Sequence, residues 1–188
     1  DKAKLTEPAI RHLLSERVSL RFYDDIETDL RTLKHATVLL APETNAWLAK
    51  IAAMNNRIVR AASPVAALKA VKNKAEMSGF RRAMLRDGVA LTRFFRWLKP
   101  AVKAGGITEM DVDRKLTSLR AEQPLFRGIS FDTIAGYGDH GAIVHYEATS
   151  ETNRVLQPKG LLLLDSGAQY QDGTTDITRT IALGCPTE

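Results

Sequence analysis

A single cysteine, Cys185, stands among 188 residues, so no disulfide can form within the chain. That excludes a disulfide-stapled scaffold and suits a reducing, cytoplasmic setting. No apolar run approaches the roughly 20 residues a membrane-spanning helix needs, and no stretch has the form of a signal peptide. Aromatic residues are scarce, at 6%, and no basic stripe interleaves with them. The net charge of +5 comes from scattered Lys and Arg mixed with acids. It reads as a solvated surface rather than a nucleic-acid face. No internal repeat or low-complexity tract appears. The chain opens on Asp1 rather than Met, which leads to the expectation of a trimmed chain. What is present is 44% hydrophobic, enough for one ordinary core or two small ones.

Residues 1–62 read as helices alternating with short strands. Thr6-Glu7-Pro8 is a helix start, with proline in the first turn. A short helix is expected over Asp25–Leu33, a strand over Ala36–Leu40, a helix over Ala46–Met54 and a strand over Arg57–Ala61. Ser63-Pro64 is a punctuation point, because the residue before proline avoids the helical region. The domain boundary is placed there. From Ala75 to Lys99, Met77, Phe80, Met84, Gly88, Leu91, Phe95 and Leu98 step by three or four and predict a long helix ended or kinked by Pro100. Gly88 on that stripe suggests close approach of another backbone, and Asp87 beside it reads as a solvent-facing partner for an arginine. Thr108 with Asp111 opens a second helix, whose buried side is Met110, Val112, Leu116 and Leu119, and Pro124 stops it. Phe126–Ala135 reads as one strand, Gly136–Gly141 as a loop and Ala142–Ala148 as a returning strand.

The organising stretch closes the chain. Leu161–Leu164 followed by Asp165-Ser166-Gly167 reads as a buried strand ending in a carboxylate. After a glycine-containing turn, Thr175–Leu183 alternates Asp176, Thr178 and Thr180 on one face. Pairing the two strands lets Asp165 and Asp176, eleven residues apart, point at one spot. Two converging carboxylates repel, so a cation must lie between them or one must hold a proton. A divalent ion suits hard oxygen donors. The alternative is a pair of turn-capping aspartates with Arg179 as partner.

Asp165-Ser166-Gly167 and Asp176-Ile177-Thr178-Arg179-Thr180 resemble the first two metal ligands of the pita-bread metallopeptidases, the group that includes aminopeptidase P, prolidase and methionine aminopeptidase. Gly141-Ala142-Ile143-Val144-His145-Tyr146-Glu147-Ala148, Ser63-Pro64-Val65 through Leu68–Asn73, and Arg86–Leu91 resemble aminopeptidase P in particular, of the long cytosolic Xaa-Pro aminopeptidase type. The resemblance covers nearly the whole chain, most specifically residues 63–184.

The resemblance implies an α+β fold. Residues 63–188 would form the first half of a pita-bread domain, and residues 1–62 the tail of a creatinase-like α/β domain. It implies two divalent ions, manganese first and zinc as the other choice, with Asp165 holding one and Asp176 bridging both. His145 inherits a catalytic role beside the metals, binding substrate and stabilising the tetrahedral intermediate. His35 and His140 take no role in it, and Cys185 has nothing to activate it. The substrate would be a peptide with proline in second position, with neither nucleic acid nor membrane as partner. One departure is large. The pattern needs a later histidine and two later glutamates, yet all four histidines precede Asp165 and only Glu188 follows Asp176. The expectation is a fragment, inactive alone, that self-associates through an unpaired sheet edge into a homo-oligomer. The competing readings are a prolidase-like dipeptidase and a pita-bread module that has lost catalysis and only binds.

Overall fold

The computed structural model describes residues 5–185. The chain divides into two compact units, Asp1–Val71 and Lys72–Glu188.

The first unit runs α1 (Glu7–Ser15), α2 (Asp25–Thr32), β1 (Thr37–Leu40), α3 (Ala46–Ala53), β2 (Arg57–Arg60) and α4 (Pro64–Ala70). The Thr6 hydroxyl accepts from the Ala9 amide and caps α1. β1 and β2 are parallel, with Val38 opposite Ile58. Parallel neighbours need a crossover, and α3 supplies it. Leu40, Ala49 and Ala52 are buried together, with Leu30, Val38 and Ile58 packed around them. Asn56 ties the corner: its side-chain oxygen accepts from the Ala36 amide at 3.0 Å, and its amide donates to the Ala52 carbonyl at 2.9 Å.

The second unit opens with α5 (Lys74–Ala104) and α6 (Glu109–Ala121). Asn73 with Glu76, and Thr108 with Asp111, form capping boxes at the two helix starts. Pro100 does not end α5, which continues to Ala104 and stops at Gly105, φ 93°. A proline this close to the C-terminus removes one helical hydrogen bond from a long run, and the remaining bonds carry the last turn.

The buried face of α5 also differs from the expected stripe. Gly79, Ala83, Asp87, Ala90, Leu91, Phe94, Leu98 and Val102 are buried, whereas Met77 and Met84 are 42% and 45% exposed. Gly88 has nothing near it. The close approach is nine residues earlier, at Gly79, where a Cβ would lie 2.0 Å from the Asp172 carbonyl oxygen. Asp87 is not solvent-facing but fully buried.

The rest of the unit is two three-stranded sheets. β3 (Phe126–Ile129), β6 (Ala168–Tyr170) and β7 (Gly173–Thr174) form one, in the order β3-β6-β7. β4 (Ile134–Tyr137), β5 (Leu161–Ser166) and β8 (Ile177–Ala182) form the other, in the order β4-β5-β8, all antiparallel. The single strand expected over Phe126–Ala135 is therefore two strands in two sheets. A break at Ser130–Thr133 separates them, because β3 pairs with β6 and β4 with β5. Gly138–Ala142 is a 3-10 turn. The strand expected over Ala142–Ala148 does not form: the chain turns instead, and His145 takes a left-handed φ of 56°. A run of β-formers without a partner strand has no ladder to join.

The core lies between the helices and one face of the second sheet. Leu162, Leu164 and Ile177 pack there with Phe94, Leu98, Val112 and Leu116. Each fully buried leucine contributes about 1.5–3 kcal/mol. Strand alternation then sends Leu161, Leu163 and Asp165 to the opposite face. This is what positions the carboxylate.

Candidate metal centre

Asp165 lies opposite Thr178 in the β5–β8 ladder, and Ser166 lies opposite Ile177. Asp176 immediately precedes β8 and shares a side with Thr178, two residues on. The two carboxylates are thus diagonal neighbours on one face, a relation that places Cβ atoms roughly 7–8 Å apart in a regular sheet. One Asp165 carboxylate oxygen, Oδ1, is buried and has no hydrogen-bond partner. Asp176 is exposed.

Both strands bend just beyond the pair. β5 leaves its sheet through Gly167 to become β6, and β7 returns through Thr175 to become β8. A side chain at Gly167 would overlap the Thr175 carbonyl oxygen at 2.0 Å, so only glycine fits this crossing. The Asp-Ser-Gly order carries that requirement.

The same face is covered further along by the 3-10 turn. A Cβ at Gly136 would meet the Gly141 backbone at 2.8 Å, and Gly141 packs on the Leu163 side chain. The chain then reaches the exposed His145. Its neighbour Tyr146 is buried, and the Tyr146 hydroxyl donates to Glu109 Oε2 at 2.9 Å.

Glu109 is a hub that the sequence reading missed. It is fully buried in the first turn of α6. Oε1 accepts from the Tyr137 amide and from His140 Nδ1, each at 2.8 Å, and Oε2 accepts from the Arg154 amide at 3.0 Å as well as from Tyr146. With Nδ1 donating, His140 Nε2 accepts from the Arg154 guanidinium at 3.0 Å. One carboxylate thus gathers both ends of the segment that carries His145. Burial, the largest cause, pushes the Tyr146 phenol above its ordinary pKa.

A cavity of about 180 Å³ lies between the start of α6 and residues 129–135, lined by Glu109, Asp113, Asp132 and Glu147 among others. Neither Asp165 nor Asp176 lines it. Among the described residues, no three His, Cys, Asp or Glu side chains gather as a metal-binding group.

Residues 78–188 match the family model for metallopeptidase family M24, and residues 1–76 match the creatinase/prolidase N-terminal domain. The chain belongs to metallopeptidase family M24. Among M24 relatives, a probable Xaa-Pro aminopeptidase P of Aspergillus clavatus is 38% identical over 200 residues, covering 100% of this chain and 30% of the relative. The Xaa-Pro aminopeptidase ApepP of Drosophila melanogaster is 37% identical over 194 residues, covering 100% of this chain and 32% of the relative. The chain therefore spans about a third of the length of these relatives.

A crystal structure of the Caenorhabditis elegans X-prolyl aminopeptidase, described as a cytosolic enzyme with a di-nuclear active site, superposes with a TM-score of 0.88 at 36% identity, covering 100% of this chain and 32% of that one. The prolidase of Pyrococcus furiosus, 21% identical, matches in fold with a TM-score of 0.73 over 98% of this chain and 53% of that one. The expected fold class stands: α+β, part of a pita-bread fold preceded in sequence by a creatinase-type unit.

Proposed function

We propose that Asp165 and Asp176 are metal ligands of a peptidase that releases the N-terminal residue from peptides with proline in second position. The observation that carries this reading is the Asp165 Oδ1 atom, buried and unpartnered on the face it shares with Asp176. A buried carboxylate oxygen without a donor is costly unless a cation satisfies it. The donors fit a hard divalent ion; Asp165 would hold one ion, and Asp176 would be shared with a second. Oxygen donors favour manganese over zinc. The family and the di-nuclear centre of the C. elegans relative support the same reading. Divalent ions at this place would supply Lewis acidity and a water of lowered pKa.

The residues around the pair have their own tasks. Asp165 is held by strand pairing on both sides, from Ile134 and Thr178, so its direction is set before any ligand arrives. His145 would donate to the substrate carbonyl as charge develops there. Its support is the Glu109-anchored segment that begins on the Leu163 end of the same face. Residues 63–188 would be the peptidase part and residues 1–62 the creatinase-like part.

The reading gives this chain two of five ligands. Two carboxylates hold a metal weakly, so the 188-residue chain alone is inactive. The names of the relatives support the Xaa-Pro preference, and the relative described as cytosolic supports a cytoplasmic setting. Among the described residues, no helix is long and apolar enough to cross a membrane. The experiment is an assay of this chain on an Xaa-Pro peptide with added Mn²⁺. No release above the metal-only blank is expected, whereas turnover comparable to the Drosophila relative would refute the two-of-five ligand count.

A further inference from the structure

Asp87 and Arg120 form an ion pair with no exposure on either side, at 2.7 Å from Nε to Oδ1 and 3.0 Å from the second guanidinium nitrogen to Oδ2. Such a pair recovers little more than its desolvation cost, and an apolar pair of similar volume would stabilise the fold as well. Its place in the structure therefore asks for another account. The answer lies in the other two groups that reach Asp87. The Tyr170 hydroxyl donates to Oδ1 at 3.2 Å, and the Thr175 hydroxyl donates to Oδ2 at 3.1 Å.

Thr175 is the residue immediately before Asp176. It is buried and fixed on every polar atom. Its hydroxyl accepts from the Ala168 amide at 3.0 Å, its amide donates to the Ala168 carbonyl at 2.9 Å, and its carbonyl accepts from the Ser130 hydroxyl at 2.9 Å. Gly173 in β7 packs on Ala83 and Phe80 of α5, and Thr175 itself reaches the helices through its hydroxyl bond to Asp87. Asp176 has no such anchor of its own: it is exposed and lies outside the β5–β8 ladder.

We propose that the buried Asp87–Arg120 pair is the positioning element of the carboxylate pair: it clamps Thr175, and through Thr175 it aims Asp176 at the face that carries Asp165. The clamp rests on the reading of Asp165 and Asp176 as metal ligands only for its purpose, not for its existence. Asp87 and Arg120 are positioning residues that touch neither metal nor substrate.

The test uses the 188-residue chain, three variants of the clamp, the ligand variant Asp176→Asn and two readouts. Thr175→Val removes the hydroxyl and keeps the shape, Thr175→Ser keeps the hydroxyl, and Tyr170→Phe removes a different donor from the same Asp87. The first readout is amide hydrogen exchange, without metal, of Thr175, which donates to Ala168, and of Ile177, which joins the β5–β8 ladder. In the parent chain these amides should exchange as slowly as core helix amides such as Leu116. Thr175→Val should speed them at least tenfold relative to Tyr170→Phe, and Thr175→Ser should restore them. The second readout is Mn²⁺ titration by loss of the free-ion resonance signal. Thr175→Val should weaken binding by roughly 10- to 100-fold, the usual range for loss of an outer support, with Tyr170→Phe near the parent value.

Fast exchange at Thr175 and Ile177 in the metal-free parent chain overturns the clamp without any variant having to fold. Equal effects of Thr175→Val and Tyr170→Phe on both readouts also overturn it, because a purely structural hydrogen bond predicts that equality. Slow exchange in the parent with no Mn²⁺ binding, or with binding unmoved by Asp176→Asn, supports the clamp and refutes the metal reading instead.

Discussion

Removing the Glu109 carboxylate is the sharpest perturbation of the segment that carries His145. Four donors converge on it: the amides of Tyr137 and Arg154, the imidazole of His140 and the hydroxyl of Tyr146. In Glu109→Ala, the imidazole and the hydroxyl can turn toward other partners, since the Thr152 hydroxyl already lies 3.3 Å from Tyr146. The two backbone amides cannot. At about 1–3 kcal/mol for each buried donor left unsatisfied, the expected loss is about 2–6 kcal/mol. Glu109→Gln separates the atoms further. Its remaining oxygen still serves Tyr137 and His140, and Tyr146 can rotate to accept from the new amide. Only the Arg154 amide then faces another donor, so the loss falls to about 1–3 kcal/mol. Urea denaturation followed by circular dichroism gives both values, with hydrogen exchange at Tyr137 and Arg154 locating the damage. If both variants lie within about 0.5 kcal/mol of the parent chain, as an ordinary surface change does, the hub is not holding the segment.

Two glycines on α5 make a matched pair. Gly79→Ala pushes a methyl into the Asp172 carbonyl and should cost about 1–3 kcal/mol, whereas Gly88→Ala meets nothing and should gain about 0.5–1 kcal/mol from helix propensity; thermal melts of the two decide it, and equal shifts would contradict the close approach. Among the described residues, the outer edge of β8 is unpaired in its sheet, and Leu85 and Val89 on α5 are 72% and 51% exposed. Self-association is therefore expected in sedimentation at high concentration, and a clean monomer would remove the proposal of a homo-oligomer.

The strands that carry the carboxylate pair, and the helix caps, were legible because their signals are local. The alternation of Leu162 and Leu164 against Leu163 and Asp165 is a period of two, and the structure buries the first set in the core. Thr6 and the Thr108–Asp111 box name their helix starts in four residues. What was not legible depends on partners far along the chain. The buried face of α5 is rotated from its apolar stripe because Asp87 finds Arg120, 33 residues away, and Gly79 finds the turn at Asp172. Glu109 is an acid in the first turn of α6, and nothing within α6 announces that residues 137–154 fold onto it. His145 sits in a run rich in β-formers, yet no strand stands beside it to pair with, so the run turns. The signal that could have found the hubs is the isolated charge on an otherwise buried face, which period counting passes over.

The claim on which the rest depends is that Asp165 and Asp176 cradle divalent cations on the open face of β5 and β8. Anomalous diffraction at the manganese edge, on crystals of this chain grown with Mn²⁺, tests it directly. The account predicts a peak within bonding distance of both carboxylates, lost in Asp165→Asn. A peak elsewhere, or none beside the two aspartates at saturating Mn²⁺, would contradict it.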